Sequence, residues 1–165
     1  MTAELISVSE DTLVTYNTVA VSWKVKNNGR TDIINATLKD GFFASSNAYG
    51  TDAIKIADVS NTVSIVSGGE KLLRANITIP KSSSLNGKKF FFVKTNIDSG
   101  IVEADLNNNS SEGRLLTFEY VANGNFVIGM NLSVGSLNSK QQVSPGEEVS
   151  LSYTITNNGT LTICI

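Results

Sequence analysis

The sequence contains no histidine, one cysteine, two prolines and few charges of either sign. Without histidine, Ser-His-Asp and Cys-His catalysis, histidine acid–base chemistry and histidine-ligated zinc are excluded. Cys164 can form no intramolecular disulfide and has no histidine base to activate it. No apolar run approaches the roughly 20 residues that span a bilayer. We therefore expect neither an enzyme nor a protein inserted in a membrane.

The charge balance argues against a nucleic-acid partner. The net charge is −2 with both signs interspersed, which leaves no basic field to attract phosphates. Residues 88–94 (KKFFFVK) mix basic and aromatic side chains, as some single-strand binders do, but the aromatic residues of one strand point to both faces. Either Phe90 and Phe92 or Phe91 alone must face the core, and we choose Phe92. We expect no nucleic-acid binding.

The most informative feature of the sequence is an internal repeat. Residues 19–33 (VAVSWKVKNNGRTDI) reappear as residues 149–163 (VSLSYTITNNGTLTI). Both copies are an alternating strand that runs into an Asn-Asn-Gly turn, and a repeat of this kind indicates an array of similar modules. The repeat predicts four turn residues: Asn28, Gly29, Asn158 and Gly159.

The repeat also predicts the domain organisation. We expect a complete module over residues 1–122 and the start of a second, incomplete repeat over residues 123–165, with strands at 126–134 and 149–156. The second segment has too few strands to close a sandwich, and an isolated hairpin is marginal in water. Three states remain open for it: disorder, packing against the first module, or pairing with another chain.

The first module has the pattern of an all-β protein. Turn signals recur at regular spacing, no helical period is present, and apolar residues alternate with polar ones in several segments. A turn at residues 60–61 is expected to separate two short strands, and Gly69 is placed in the turn that follows them. The pattern predicts an immunoglobulin-like antiparallel β-sandwich of seven to eight strands, followed by a partial second copy. The predicted core includes Val21, Trp23, Val25, Ile77 and Phe92.

Two binding sites are candidates. Asp98, Glu103, Asp105 and Asn107 offer the hard oxygen ligands that calcium takes, although their spacing matches no EF-hand. The alternative is that these side chains hydrogen-bond the local backbone and shape a turn. Tyr49, in a loop rich in Ser, Asn and Gly, is the best candidate for stacking on a sugar. Apart from calcium, no cofactor is expected.

Several segments together resemble a known family. They are VSWKVKNNG at residues 21–29, DGFFASS at 40–46, SGGE at 67–70 and VEADLNNN at 102–109. In this order and spacing they resemble CARDB, the cell adhesion related domain found in bacteria, an immunoglobulin-like module of bacterial and archaeal surface proteins. The resemblance implies a sandwich fold without catalytic residues. It also implies an extracellular or cell-surface location, with the signal sequence outside this chain.

The same resemblance implies a structural or adhesion role, as a spacer or interaction domain in a multidomain protein. The expected partners are other domains of the same protein or further copies of it, and surface glycans or proteins. Two alternative functions remain open. One is a surface-filament subunit that assembles through the incomplete second repeat. The other is a carbohydrate-binding accessory module of a secreted polysaccharide-degrading enzyme, acting through Tyr49.

Overall fold

The computed structural model describes residues 1–121 and two further strands at residues 132–138 and 152–157. The chain divides into two compact units, Met1–Gly124 and Asn125–Ile165. We call them unit 1 and unit 2 and describe each by itself. The described residues contain no helix long and apolar enough to cross a membrane.

Unit 1 contains eight strands. In chain order they are β1 (Thr2–Val8), β2 (Thr12–Val14), β3 (Thr18–Lys26), β4 (Ile33–Ser45), β5 (Ile54–Ile65), β6 (Glu70–Thr78), β7 (Gly87–Lys94) and β8 (Arg114–Glu119). A 3-10 turn at Ser83–Leu85 lies between β6 and β7. The strands form two sheets, ordered β1-β3-β6 and β2-β8-β7-β4-β5. All pairings are antiparallel except β2–β8, which is parallel. The β-sandwich that the sequence predicts is confirmed.

The core is crossed by a row of aromatic rings. Trp23 on β3 meets Phe42 on β4 edge-on, with ring centroids 5.1 Å apart. Phe42 lies 6.0 Å from Phe91 on β7, and Phe91 lies 6.4 Å from Phe118 on β8. All four rings are almost completely buried. Because large aromatic side chains bury the most apolar area, this row is a main contributor to the packing between the sheets.

One of the predicted core residues requires a correction. Val21, Trp23, Val25 and Ile77 are buried, but Phe92 is only half-buried on the outer face of the five-stranded sheet. There its ring stacks on Phe43, with centroids 5.7 Å apart. The register pairs Phe43 with Phe92 and Ala44 with Phe91, and neighbouring residues of a strand face opposite ways. Phe91 therefore takes the core position.

The turn expected at residues 60–61 is also wrong. The segment is one continuous strand, β5, in which Ser60 pairs with Lys39 and Asn61 with Leu38 of β4. Ser60 and Asn61 favour turns, but here β4 supplies partners for their backbone groups. Pairing with the neighbouring strand therefore outweighs the local turn preference. The short strand β2 has no counterpart in the sequence-based prediction, since three residues carry too little periodicity.

The strand directions place the two chain ends of unit 1 at opposite ends of its sandwich. Thr2 pairs with Lys26, so Met1 lies where β3 finishes. At the C-terminal end of β8, Glu119 pairs with Val14, the last residue of β2, and its carbonyl accepts a hydrogen bond from the N–H of Thr15. The chain then leads directly to Thr18, where β3 starts, so Val121 lies at the end of the sandwich opposite Met1. We call these the Met1 end and the Val121 end.

Unit 2 contains β9 (Leu132–Asn138) and β10 (Ser152–Asn157), which pair antiparallel. The first residues of β9 and β1, Leu132 and Thr2, are 130 positions apart. β10 starts 130 positions after Ser22 of β3. The predicted strands at 126–134 and 149–156 overlap these two, and their parts at residues 126–131 and 149–151 lie outside the described residues. The predicted turn residues Asn158 and Gly159 lie outside the described residues.

The two phenylalanines give a matched test of the register. Phe91→Ala is expected to lower the free energy of unfolding by about 3–5 kcal/mol, because it leaves a cavity between the sheets. Phe92→Ala should cost only about 1–2 kcal/mol, since the ring is half-buried outside the core. Chemical denaturation of both variants measures the difference. A larger loss for Phe92→Ala would contradict this register.

Candidate functional site

The most unusual polar group of unit 1 is the carboxylate of Asp40, in the middle of β4. It has no exposed surface. One oxygen accepts a hydrogen bond from Trp23 Nε1 at 2.7 Å. The other accepts from Thr95 Oγ1 at 2.6 Å and from the backbone N–H of Asn96 at 3.3 Å. Burial raises the pKa of this carboxyl above its ordinary value of 3.8, although the three hydrogen bonds oppose the shift.

Asn96 connects Asp40 to a second carboxylate. Its backbone N–H bonds to Asp40, while its side-chain Nδ2 donates to Glu103 Oε1 at 2.6 Å. Asn109 Nδ2 donates to the same oxygen at 2.9 Å, and the other oxygen contacts the amino group of Met1. Asn96 has a φ of 52°, a left-handed conformation that asparagine tolerates better than most residues. The two carboxylates thus belong to one hydrogen-bonded network that anchors the segment between β7 and β8.

Of the four candidate calcium ligands, the three carboxylates accept hydrogen bonds from protein groups. Asp98 Oδ1 accepts from the backbone N–H of Gly100 at 3.1 Å, and Asp105 Oδ1 accepts from that of Asn107 at 2.9 Å. Glu103 is held in the network, with 6% of its side chain exposed. In the part of the chain that the structure describes, no group of three or more Asp, Glu, His or Cys residues could hold a metal ion. Calcium binding stays a prediction.

The turn after β3 is organised by a residue that the sequence analysis missed. Asn28 and Gly29 are exposed, whereas Asn27 is 4% exposed. Asn27 Nδ2 donates to the carbonyls of Thr31 at 2.8 Å and Ile65 at 3.2 Å, and its Oδ1 accepts from the N–H of Gly29 at 3.0 Å. One side chain therefore ties the β3–β4 connection to the end of β5. The available signal was the recurrence of this asparagine at position 157.

The backbone of Asn27 also holds the turn between β5 and β6. Its N–H donates to the carbonyl of Gly69 at 3.0 Å, and its carbonyl accepts from the N–H of Gly68 at 2.9 Å. Gly68 has a φ of 71°, which favours glycine. A Cβ on Gly69 would lie 2.7 Å from the side chain of Val66. Gly68 is thus favoured by its backbone conformation, and Gly69 by its close approach to Val66.

The loop between β4 and β5 is held by Asp52. The Asp52 carboxylate accepts hydrogen bonds from the hydroxyls of Ser45 and Ser46, from the backbone N–H of Ser46 and from Asn47 Nδ2. The two serine hydroxyls are the main reason that the pKa of Asp52 falls to about 2. One carboxylate therefore orders the start of the loop, although the sequence analysis did not single it out.

Tyr49 projects from this ordered loop, with 92% of its surface exposed. Its backbone N–H donates to Asn47 Oδ1 at 3.0 Å. The next residue, Gly50, lies against Phe92, and a Cβ on it would be 3.0 Å from that ring. Phe92 in turn stacks on Phe43. The half-buried aromatic pair thus supports the loop, and Tyr49 is the exposed ring at its tip.

Two open clefts lie elsewhere on unit 1. One, of about 540 Å³, lies at the Met1 end and includes residues 27–34 and 100–105. Its buried acid, Glu103, already accepts hydrogen bonds from two asparagines. The other, of about 600 Å³, lies around Ser22 and Arg74 on the three-stranded sheet. Among the described residues, neither cleft pairs a nucleophile with a general base.

Comparison with known proteins gives structural similarities alone. No family model and no curated protein matches the chain. Similar solved structures include the CARDB domain of a Pyrococcus furiosus protein in complex with di-metal ions, with 19% identity over 72% of this chain and 86% of that one and a TM-score of 0.45. A solution structure of that domain gives 19% identity, 71% and 92% coverage and a TM-score of 0.44. Both belong to the family that the sequence resembles.

A third similar structure is residues 272–376 of a protein from Methanosarcina acetivorans, described as a cell surface protein. It has 17% identity over 72% of this chain and 94% of that one, with a TM-score of 0.43. At these identities and TM-scores, the similarities support no inference about function.

The buried carboxylate makes a specific pH dependence testable. In the unfolded chain Asp40 releases its proton near pH 3.8, but in the folded protein it does so at higher pH. Its contribution to stability is therefore lost as pH rises from 3.8 through the raised folded pKa. Asp40→Asn, which keeps an acceptor for Trp23, should remove this decline. Chemical denaturation between pH 3.5 and 7 measures it, with the exposed Asp105→Asn as control. Identical profiles for the wild type and Asp40→Asn would contradict the assignment.

Proposed function

We propose that this chain is a non-catalytic structural module of a cell-surface or secreted multidomain protein, in which unit 1 acts as a spacer that transmits tension. The observation that carries the proposal is the parallel pairing of β2 with β8, the strands nearest the two chain ends within the five-stranded sheet. The resemblance to CARDB supports a location outside the cell.

The β2–β8 ladder is placed to resist a pulling force. Thr15 N–H donates to the carbonyl of Glu119 at 3.0 Å, and Thr117 N–H donates to that of Asp11 at 3.1 Å. Val121 N–H donates to Thr15 Oγ1 at 2.9 Å. Since the chain ends leave unit 1 at opposite ends, tension runs along these strands and loads the hydrogen bonds together in shear. Bonds that are individually worth about 1 kcal/mol then resist as a group.

The polar chemistry of unit 1 also supports a structural function. Asp40 and Glu103, the two acids with the least exposed side chains, are engaged by hydrogen-bond donors that hold strands and connections together. An acid catalyst needs access to substrate at hydrogen-bond distance. Asp40 has no exposed surface at all, which is suited to a structural role.

Single-molecule pulling tests this function. Thr15→Val removes the acceptor for Val121 N–H, which should lower the unfolding force and cost about 1 kcal/mol of stability. Thr18→Val is the matched control: it removes a hydroxyl pair with Thr78 at 3.1 Å, which joins β3 to β6 and lies outside the loaded ladder. Equal effects of the two variants on the unfolding force would refute transmission through β2–β8.

A second candidate function, carbohydrate binding, is favoured by the ordered loop around Tyr49. An exposed aromatic ring on a backbone already held by Asp52 and supported by Phe92 loses little conformational entropy when it binds. A phenol ring offers an apolar face to the C–H groups of a sugar and a polar edge to its hydroxyls. The ligand class is a neutral glycan.

Tyr49→Ala tests this second function directly. Titration of the labelled chain with oligosaccharides of glucose and of N-acetylglucosamine, followed by NMR, should show shifts at Tyr49 and its loop. The variant should bind up to about tenfold more weakly, since aromatic stacking contributes about 0.5–1.5 kcal/mol. Val102→Ala, at a residue that is 97% exposed at the Met1 end, is the control. Shifts that persist unchanged in Tyr49→Ala, or no shifts with either sugar, would exclude the site.

A further inference from the structure

We propose that the cleft on the outer face of the three-stranded sheet, which we call the Arg74 cleft, binds an acidic saccharide through a carboxylate of the sugar. The cleft measures about 600 Å³, and its polar lining consists of Ser7, Ser9, Ser22, Arg74 and Asn76. The proposal goes beyond the spacer function and does not depend on it. It also concerns another place and another ligand class than the neutral glycan considered for Tyr49.

The Arg74 cleft is built from side chains that lie opposite one another on the three strands. Arg74 of β6 pairs with Ser22 of β3, which pairs with Ser7 of β1. In the next row, Asn76 of β6 pairs with Ala20 of β3. The floor on β3 thus carries small side chains, while β6 and β1 form the walls. Two strand spacings separate these walls by about 9–10 Å.

A bulge in β1 turns Ser7 towards this cleft. Leu5 pairs with Trp23. The next pair joins Ser7 to Ser22, so that Ile6 is an extra residue on β1. Without the extra residue, Ser7 would shift by one register position and its side chain would face the core. The bulge therefore adds a hydroxyl to the wall opposite the arginine, and bulges re-aim side chains in this way next to functional sites.

The charge of the cleft is that of the Arg74 guanidinium. In the neighbouring row, Lys24 Nζ lies 3.0 Å from Glu4 and 3.2 Å from Glu70, so the acid of each outer strand is already paired. Among the described residues Arg74 makes no ion pair, and no Asp or Glu lines the cleft. A guanidinium presents five N–H donors in a planar fork that matches a carboxylate. The cleft thus favours a carboxylate as the charged group of its ligand.

The neutral groups around Arg74 favour a saccharide over a simple anion. Ser7 Oγ and Ser22 Oγ are 2.6 Å apart, so one hydroxyl hydrogen joins the pair and the other has no acceptor in the part of the chain that the structure describes. Ser9 Oγ accepts from a backbone N–H at 3.1 Å and keeps its own hydrogen to donate. Asn76 adds an amide on the wall of the arginine. These groups suit the hydroxyls of a sugar ring, and the volume falls within the range of about 300–1,000 Å³ of small-molecule sites.

The experiment titrates the isotope-labelled full chain with trigalacturonate and follows the signals by NMR. Saturable shifts are expected at the Nε–H of Arg74 and at the amides of β1, β3 and β6. The methyl ester of the same trisaccharide, which carries no charge, should bind at least tenfold more weakly because it cannot form the charge-assisted pair. Acetate at the same carboxylate concentration should also bind at least tenfold more weakly, since it is too small to reach the serine wall.

Three variants locate the binding. Arg74→Gln should weaken the binding of trigalacturonate at least tenfold. Arg30→Gln is the matched control, because it removes the same charge from an exposed residue that lines the cleft at the Met1 end instead. Ala20→Leu keeps every charge but fills the floor of the cleft, and it should weaken binding by a similar factor to Arg74→Gln. Ala20 and Arg74 are both exposed, so these substitutions are expected to leave the fold unchanged.

Several results would overturn the proposal. They are the absence of saturable binding, equal binding of the acid and its methyl ester, equal effects of Arg74→Gln and Arg30→Gln, and unchanged binding in Ala20→Leu. Acetate that binds as tightly as trigalacturonate would make the cleft a simple anion site and would also overturn it. So would shifts confined to the loop of Tyr49, which would assign the acidic sugar to that loop. None of these results affects the pulling test on Thr15, which involves no ligand.

Discussion

The hydrogen bond between Trp23 and Asp40 is the contact on which the rest of unit 1 depends. It joins β3 of one sheet to β4 of the other at 2.7 Å, in a region with no exposed surface. A buried carboxylate is expensive unless donors surround it, and Thr95 and Asn96 supply the others. The segment after β7 must therefore pass close to β4. The hydrogen bonds of this carboxylate thus link the two sheets and hold this connection beside β4, in addition to the packing of the aromatic rings.

The same carboxylate gives a physical reason for the register of β4. A slip by one residue would turn every side chain of the strand to the opposite face. Asp40 would then lose its three donors, and Phe42 would leave the ring of Trp23. With Asp40 and Phe42 inward, Phe43 faces outward and its partner Phe92 must do the same. The inward position of Asp40 and Phe42 therefore also determines that Phe43 and Phe92 stack on the outer face, beneath the loop of Tyr49.

Unit 1 uses polar residues for two structural purposes. Asp40 and Glu103 hold the interior and the long connection after β7, while Asn27 and Asp52 order connections at opposite ends of the sandwich. Hydrogen-bonded connections at both ends are compatible with the spacer function proposed above. The ordered β4–β5 loop also gives Tyr49 a defined position, so that a spacer could carry a binding loop without changing its core.

Much of this could be predicted from the sequence because it is local. The alternation around Trp23 predicts the half-buried strand that the structure contains. The recurrence of that segment predicts an array of modules, which stays a prediction. The choice between Phe91 and Phe92, the continuity of β5 through residues 60–61, and the functions of Asn27 and Asp40 were decided by the tertiary structure. Each depends on a partner tens of residues away, for example Ile65 for Asn27. Periodicity reports which residues alternate along a strand, whereas only packing and strand register decide which face is buried and which donor meets which acceptor.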